Sequence, residues 1–191
     1  MATLSIDKVM MNPHYTAIAK GLHWFMALLI FGLLALGFYM ADLPLSPEKL
    51  QYFSWHKWAG VTVFFMVWLR LLWRVTHRPP AHPLGMTRTQ RLLAHGGHGA
   101  LYLLMVIIPL SGWLMSSAKG VPTVWFGVLP LPDLLARDKE LGKQLTELHF
   151  ALNISLLVLI GVHTAAALLH HYVHKDDILR RMLPLRFQPK L

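Results

Sequence analysis

Residues 148–169, Leu148-His149-Phe150-Ala151-Leu152-Asn153-Ile154-Ser155-Leu156-Leu157-Val158-Leu159-Ile160-Gly161-Val162-His163-Thr164-Ala165-Ala166-Ala167-Leu168-Leu169, carry no Asp, Glu, Lys or Arg. A helix of about 20 apolar residues crosses a hydrocarbon core about 30 Å thick, so this stretch reads as a membrane span. His149 and His163 lie fourteen residues apart within it. At 1.5 Å and roughly 100° per residue, their Cα atoms stand about 21 Å apart and only about 40° out of line. One helix therefore presents two imidazoles along nearly one face, one toward each side of a bilayer. His23 and His56 occupy matching depths in two other apolar stretches. Four imidazoles at two depths make two bis-histidine sites stacked across a membrane.

Composition supports that reading. The 191 residues are 55% hydrophobic and only 14% charged, too apolar for an ordinary soluble domain. The apolar residues come in four blocks, Leu22–Met40, Trp55–Trp73, Gly99–Met115 and Leu148–Leu169, the third reaching spanning length by extending back through His98 and His95. A soluble bundle with an apolar core is the alternative. However, Leu28–Phe38 and Leu156–Val162 carry no charge on any face, which suits lipid better than water. There are no cysteines, which excludes disulfides, iron–sulfur clusters, thiolate ligation and c-type haem attachment.

The net charge of +9 is not arranged as a nucleic-acid face. Arg70, Arg74, Arg78, Arg88 and Arg91 gather around the second connection with no acid among them. Lys8 and Lys20 precede the first block against Asp7, and Lys175, Arg180, Arg181, Arg186 and Lys190 follow the fourth against Asp176 and Asp177. The positive-inside rule then places both termini and the second connection in the cytoplasm. Anionic lipid is the partner such a basic excess suits. Ala35-Leu36-Gly37 has the look of a signal-peptide cleavage site. Cutting there would remove His23 and leave three mismatched spans, so the first block is expected to be an uncleaved anchor.

The expectation is one all-α membrane domain over residues 1–191, a four-transmembrane-helix bundle with both termini inside. Its helices cover about 15–41, 54–75, 91–117 and 146–172, with the tail 173–191 on the cytoplasmic surface. Pro44 and Pro47 mark the first turn, and Pro79, Pro80 and Pro83 make the second connection extended. Pro109 predicts a kink in helix three. Ser116–Glu147 is the one long connection, and its Trp125, Phe126 and several prolines suggest a compact cap at the outer interface. Asp177–Met182 is a short amphipathic candidate in the tail.

Depth pairs His23 with His163 and His56 with His149. A histidine inside a span is a functional candidate by default, with a neutral histidine bonded to a neighbouring helix as the plain alternative. Imidazole ligates zinc, copper and haem iron. No acidic residue lies within any span to complete a small-metal site. Two neutral axial imidazoles on a flat, apolar macrocycle need no acid, so non-covalent haem b fits best, one at each pair. Gly60 and Gly161 offer room for a porphyrin edge, although glycine is also common at plain helix contacts. His95 and His98 share the inner depth and rival His23 as ligands. Otherwise they suit propionate contact, quinone hydrogen bonding or the interface itself. His170 and His171, with His174, extend past helix four, where propionates, a quinone headgroup or plain solvation would account for them. His14, His77 and His82 lie in polar or Pro-rich segments and carry no assigned role.

These residues also carry a resemblance. Ile18-Ala19-Lys20-Gly21-Leu22-His23-Trp24 resembles the opening of prokaryotic cytochrome b561 proteins, and His56-Lys57-Trp58-Ala59-Gly60 with Arg70-Leu71-Leu72-Trp73-Arg74 is similar to their second helix. Ala94-His95-Gly96-Gly97-His98 resembles their third. Gly161-Val162-His163-Thr164-Ala165-Ala166-Ala167-Leu168-Leu169-His170-His171-Tyr172, followed by Lys175-Asp176-Asp177 and Arg181-Met182-Leu183-Pro184, is similar to their last helix and tail. The resemblance implies an inner-membrane protein holding two b haems, with ligands at His23, His56, His149 and His163. It also implies electron flow between an outer donor and ubiquinone near the inner face, and superoxide oxidation as one activity. Superoxide is an anion, so Lys57, beside His56, and Lys119 in the outer connection are the candidate catalytic residues that would attract it, with ordinary interfacial snorkelling as the plain alternative. The leading function is a superoxide:ubiquinone oxidoreductase. The alternatives are a cytochrome b anchor subunit of a larger dehydrogenase or hydrogenase complex and, more remotely, a histidine-lined metal transporter.

Overall fold

The computed structural model describes residues 14–81, 83 and 85–184. His82, the charges Asp7, Lys8, Arg186 and Lys190, and the last residues of the expected tail lie outside that set. Four long helices dominate: α1 (Ala17–Ala41), α2 (Pro47–Thr76), α3 (Arg88–Ala118) and α4 (Lys139–Leu169). All four are long and apolar enough to cross a membrane. Leu28 (71% exposed), Leu72 (63%), Leu103 (59%) and Val158 (61%) point outward, the inverse of a soluble bundle and the surface that lipid tails cover.

Each helix starts on a side-chain cap. Thr16 Oγ1 accepts from Ala19 N–H at 3.2 Å, and Ser46 Oγ accepts from Lys49 N–H at 3.2 Å with Pro47 at the first helical position. Thr87 and Gln90 form a reciprocal capping box, and Asp138 Oδ1 accepts from Glu140 and Leu141 N–H, both at 3.0 Å. These caps correct two expected bounds, because α2 starts at Pro47 rather than 54 and α4 at Lys139 rather than 146. The added turns are polar, so apolar block length could not reveal them. Pro109 sits inside α3, which runs helical through it.

The chain is not wholly helical. The long connection carries a two-stranded antiparallel hairpin, β1 (Thr123–Trp125) and β2 (Leu129–Leu131), in register Thr123↔Leu131. Its tip has Phe126 and Gly127 both at positive φ, 49° and 72°. Side chains of two helices pin it down. Trp58 Nε1–H donates to the Val124 carbonyl at 2.6 Å, and Trp125 Nε1–H to the Trp58 carbonyl at 3.2 Å. Trp113 Nε1–H donates to the Pro132 carbonyl at 3.0 Å, and Leu134 N–H to Ser117 Oγ at 3.1 Å. The expected cap is thus a hairpin clamped across one end of the bundle.

At the other end α4 runs into a π-helical turn, His170–His174, and then α5 (Ile178–Met182). Trp24 Nε1–H donates to the Met182 carbonyl at 2.9 Å, tying α5 back to α1. α1 packs on α2, α2 on α3 and α3 on α4. The buried core, including Met26, Val63, Val67 and Ile108, lies at mid-height between the two ends.

Candidate functional site

Two cavities open inside the bundle, one beneath the hairpin and one above α5. The hairpin-end cavity measures about 640 Å³ and is bordered by His56 and His149. The tail-end cavity measures about 420 Å³ and is bordered by His23, His98 and His163. Ile30, Met105 and Leu156, all buried, border both and form the septum between them.

The imidazoles meet as depth predicts. The ring centres of His56 and His149 are 6.4 Å apart, and those of His23 and His163 6.3 Å apart. Imidazole–metal bonds run about 2.0 Å, and a ring centre lies about 1.1 Å behind its nitrogen, so two imidazoles on opposite sides of one metal stand about 6 Å apart, centre to centre. Both pairs have that separation. His98 approaches His163 more closely, at 5.4 Å.

Every helix repeats the fourteen-residue spacing of the opening stretch. His23 and Gly37 on α1, His56 and Arg70 on α2, His98 and Gly112 on α3, and His149 and His163 on α4 each place one residue in or against each imidazole pair. Gly37 and Gly112 back the hairpin-end rings. A Cβ at Gly37 would stand 3.3 Å from His56 Cε1, and one at Gly112 would stand 3.1 Å from His149 Cε1. Ser111 Oγ lies 2.9 Å from His149 Nδ1, whereas the buried His56 Nδ1 has no hydrogen-bond partner. Gly60 borders the hairpin-end cavity with open space above it. Gly161 borders neither cavity.

At the tail end, Arg70 Nη2–H donates to His23 Nδ1 at 3.0 Å. The guanidiniums of Arg70 and Arg74 lie 5.5 and 5.9 Å from the Tyr102 ring centre, and neither has a carboxylate partner among the described residues. The charge pattern alone reads both arginines as part of the basic second connection. His56-to-Arg70 spacing was the signal that would have placed Arg70 at the depth of His163. His14 and His77, given no role from sequence, also border this cavity, with His77 stacked on Trp73 at 3.7 Å. His95, His170 and His171 border neither cavity. His170 Nδ1 instead pairs with the Asp176 carboxylate.

Lys57 is half-buried and its ammonium donates to the Val121 and Pro122 carbonyls, each at 3.2 Å, so it serves the hairpin. Lys119 caps α3 beside the same cavity with an exposed side chain. Partial burial pushes its ammonium below the ordinary lysine value.

A four-helix membrane bundle with facing histidine pairs at apolar cavities has the build of a b-type cytochrome. The comparisons agree. A family model described as "Prokaryotic cytochrome b561" matches residues 14–185. "Cytochrome b561 homolog 2" of Escherichia coli (strain K12) is 37% identical over 176 residues, covering 88% of this chain and 90% of that protein. "Probable superoxide oxidase CybB" of Yersinia pestis is 31% identical over 180 residues, covering 91% and 98%. "Cytochrome b561 homolog 1" of Escherichia coli (strain K12) is 32% identical over 133 residues, covering 69% and 74%. The chain belongs to the prokaryotic cytochrome b561 family. It is accordingly a b-haem electron-transport protein of the bacterial inner membrane.

The residues present fit a b haem at each pair. Ring separation suits two imidazoles on one iron, the cavities are largely apolar, and the tail end offers two guanidiniums in want of an anion. No group of three or more metal-ligating side chains gathers among the described residues, which favours a macrocycle over a bare ion.

Proposed function

We propose that this protein carries electrons across the membrane from superoxide at the hairpin end, on the outer face, to ubiquinone near the tail end, on the cytoplasmic face. The observation that carries the reading is the pair of facing imidazole sets, 6.4 and 6.3 Å between ring centres, at two depths of one bundle. His56 and His149 would hold one haem b, and His23 and His163 a second. Each haem supplies reversible one-electron chemistry at its iron.

The rest falls to the chain's own residues. His23, His56, His149 and His163 would hold the two haems, and with two imidazoles committed to each, superoxide would give up its electron without binding metal. The hairpin keeps larger donors away from His56 and His149. Lys119 supplies the free positive charge at that mouth, and Lys57 adds charge while holding the hairpin. At the tail end Arg70 and Arg74 face a cavity without carboxylates, where the acid groups of a haem b would pair with them. A guanidinium only donates, so Arg70 must leave His23 Nδ1 when that ring ligates through Nε2. His95, His98, His170 and His171 stand on the cytoplasmic side as candidate propionate or quinone contacts, of which His98 alone borders the cavity. The basic second connection supports a cytoplasmic tail end. Two superoxides lose one electron each and leave as dioxygen. One ubiquinone takes both electrons, with two protons from the cytoplasm, to become ubiquinol.

Stopped-flow mixing of the purified holoprotein, loaded with ubiquinone, with superoxide tests the reading. Haem reduction within milliseconds, followed by ubiquinol formation at half the superoxide consumed, is the expected result. Haems that stay oxidised under superoxide but are reduced by a co-purifying dehydrogenase would refute the donor assignment.

A further inference from the structure

The two rings at the hairpin end are not equivalent: His149 Nδ1 has a hydroxyl beside it, whereas the buried His56 Nδ1 has no partner. Ser111 is buried, 4% exposed, and lies on α3 nearly two turns above the septum residue Met105. Its Oγ–H donates to the Ile108 carbonyl at 2.7 Å. A hydroxyl has one proton and two lone pairs, so with its proton committed it can only accept from His149 Nδ1, 2.9 Å away. The Ile108 carbonyl also faces His149, so the acceptors around this ring favour the tautomer with the proton on Nδ1 and the lone pair on Nε2. Gly112, the next residue, holds the ring in place from behind, since a Cβ there would come within 3.1 Å of Cε1. His56, across the cavity, has a glycine behind it but no partner for its buried Nδ1.

We propose that Ser111 is a positioning residue for His149, setting the tautomer and donor strength of that ring and so the reduction potential of the haem at the hairpin end alone. The inference rests on the reading that His56 and His149 hold a haem. An acceptor on the far N–H makes an imidazole a stronger electron donor to its metal. A stronger donor favours the oxidised iron and lowers the potential. At the tail end the group nearest His23 Nδ1 is the Arg70 guanidinium, which cannot accept a proton, so Ser111 has no counterpart there.

Redox titration of the purified two-haem protein, with low-spin ferric resonance spectra of the same samples, tests this on Ser111→Ala and Ser111→Thr. Ser111→Ala should raise one of the two midpoint potentials and shift one resonance signal, with haem content unchanged and the other centre as in the parent. Ser111→Thr keeps the hydroxyl and should restore the parent values. Loss of one haem in Ser111→Ala that Ser111→Thr prevents also supports the role, because only the hydroxyl differs in that direction. Unchanged midpoints with both haems present overturn the proposal. So does a shift that Ser111→Thr shares in full, which would trace the effect to packing. The unaffected centre serves as the internal check that each variant is folded. His149→Ala separates the two claims: a variant that retains both haems refutes His149 as a ligand, whatever Ser111 does.

Discussion

The hairpin-end and tail-end cavities hold matched imidazole pairs in unlike surroundings. At the hairpin end the rings lean on Gly37 and Gly112, one is pinned by Ser111, and a clamped hairpin closes the mouth. At the tail end no glycine touches a ring. There Arg70 and Arg74, with His14 and His77, line a polar mouth floored by Leu179 and Met182 of α5. Close backbone contact fixes a group in one pose, whereas long, multiply hydrogen-bonding side chains accommodate ligands that come and go. The same imidazole pairing thus sits against close backbone at one end and among long polar side chains at the other.

The largest effect that can break this comparison is ligand removal. His56→Ala and His23→Ala should each lower the pyridine haemochrome value from two b haems per chain to one, and double replacement should give a colourless protein. His98→Ala should keep both. If it loses the tail-end haem while His23→Ala retains it, the pairing at that end is wrong. Next, Arg70→Gln should weaken haem retention at the tail end by about tenfold or more, since a buried acid group would lose its charged partner. Repeated detergent washing followed by haem analysis measures it, and the hairpin-end signal should persist.

Gly112→Ala should act at the opposite end. Its Cβ, 3.1 Å from His149 Cε1, must displace the ring at a cost of about 1–3 kcal/mol. Thermal unfolding and the spectrum of the hairpin-end haem should both change, while Gly161→Ala, with nothing within 4 Å of its Cβ and bordering neither cavity, should leave both alone. Smallest is the effect of Lys119→Gln, a fall of about two- to tenfold in the rate of haem reduction by superoxide and a flatter dependence on ionic strength. Lys57→Gln should instead lower the melting temperature, because its ammonium bonds the Val121 and Pro122 carbonyls.

Much of this was legible in the chain. The spans, their order and the meeting of His23 with His163 and His56 with His149 followed from depth, because a helix converts residue number into height at a fixed rate. Rotation about the helix axis was harder to read. Gly60 and Gly161 drew attention as neighbours of histidines in sequence, yet the glycines touching rings are Gly37 and Gly112, on other helices. Helix starts were misplaced where polar turns extend beyond the apolar block. Ser46-Pro47-Glu48 was a cap signal taken for a turn marker. The Trp125–Phe126 hairpin announced itself only as an aromatic, proline-rich segment, since three-residue strands carry too little alternation to register.

The septum of Ile30, Met105 and Leu156 has an electrical consequence. Three apolar side chains form a barrier that an electron can tunnel through but a proton, which needs polar groups or water to hop along, cannot. On the proposed route, then, negative charge moves inward through this layer without a compensating proton. An energised bacterial membrane is negative inside, and each elementary charge moved through the full voltage costs about 2.3 kcal/mol per 100 mV. Turnover would therefore run against the membrane voltage. The protein should work fastest in vesicles with no potential and slow as an inside-negative one is imposed, so that the septum ties the removal of outer superoxide to the energetic state of the cell.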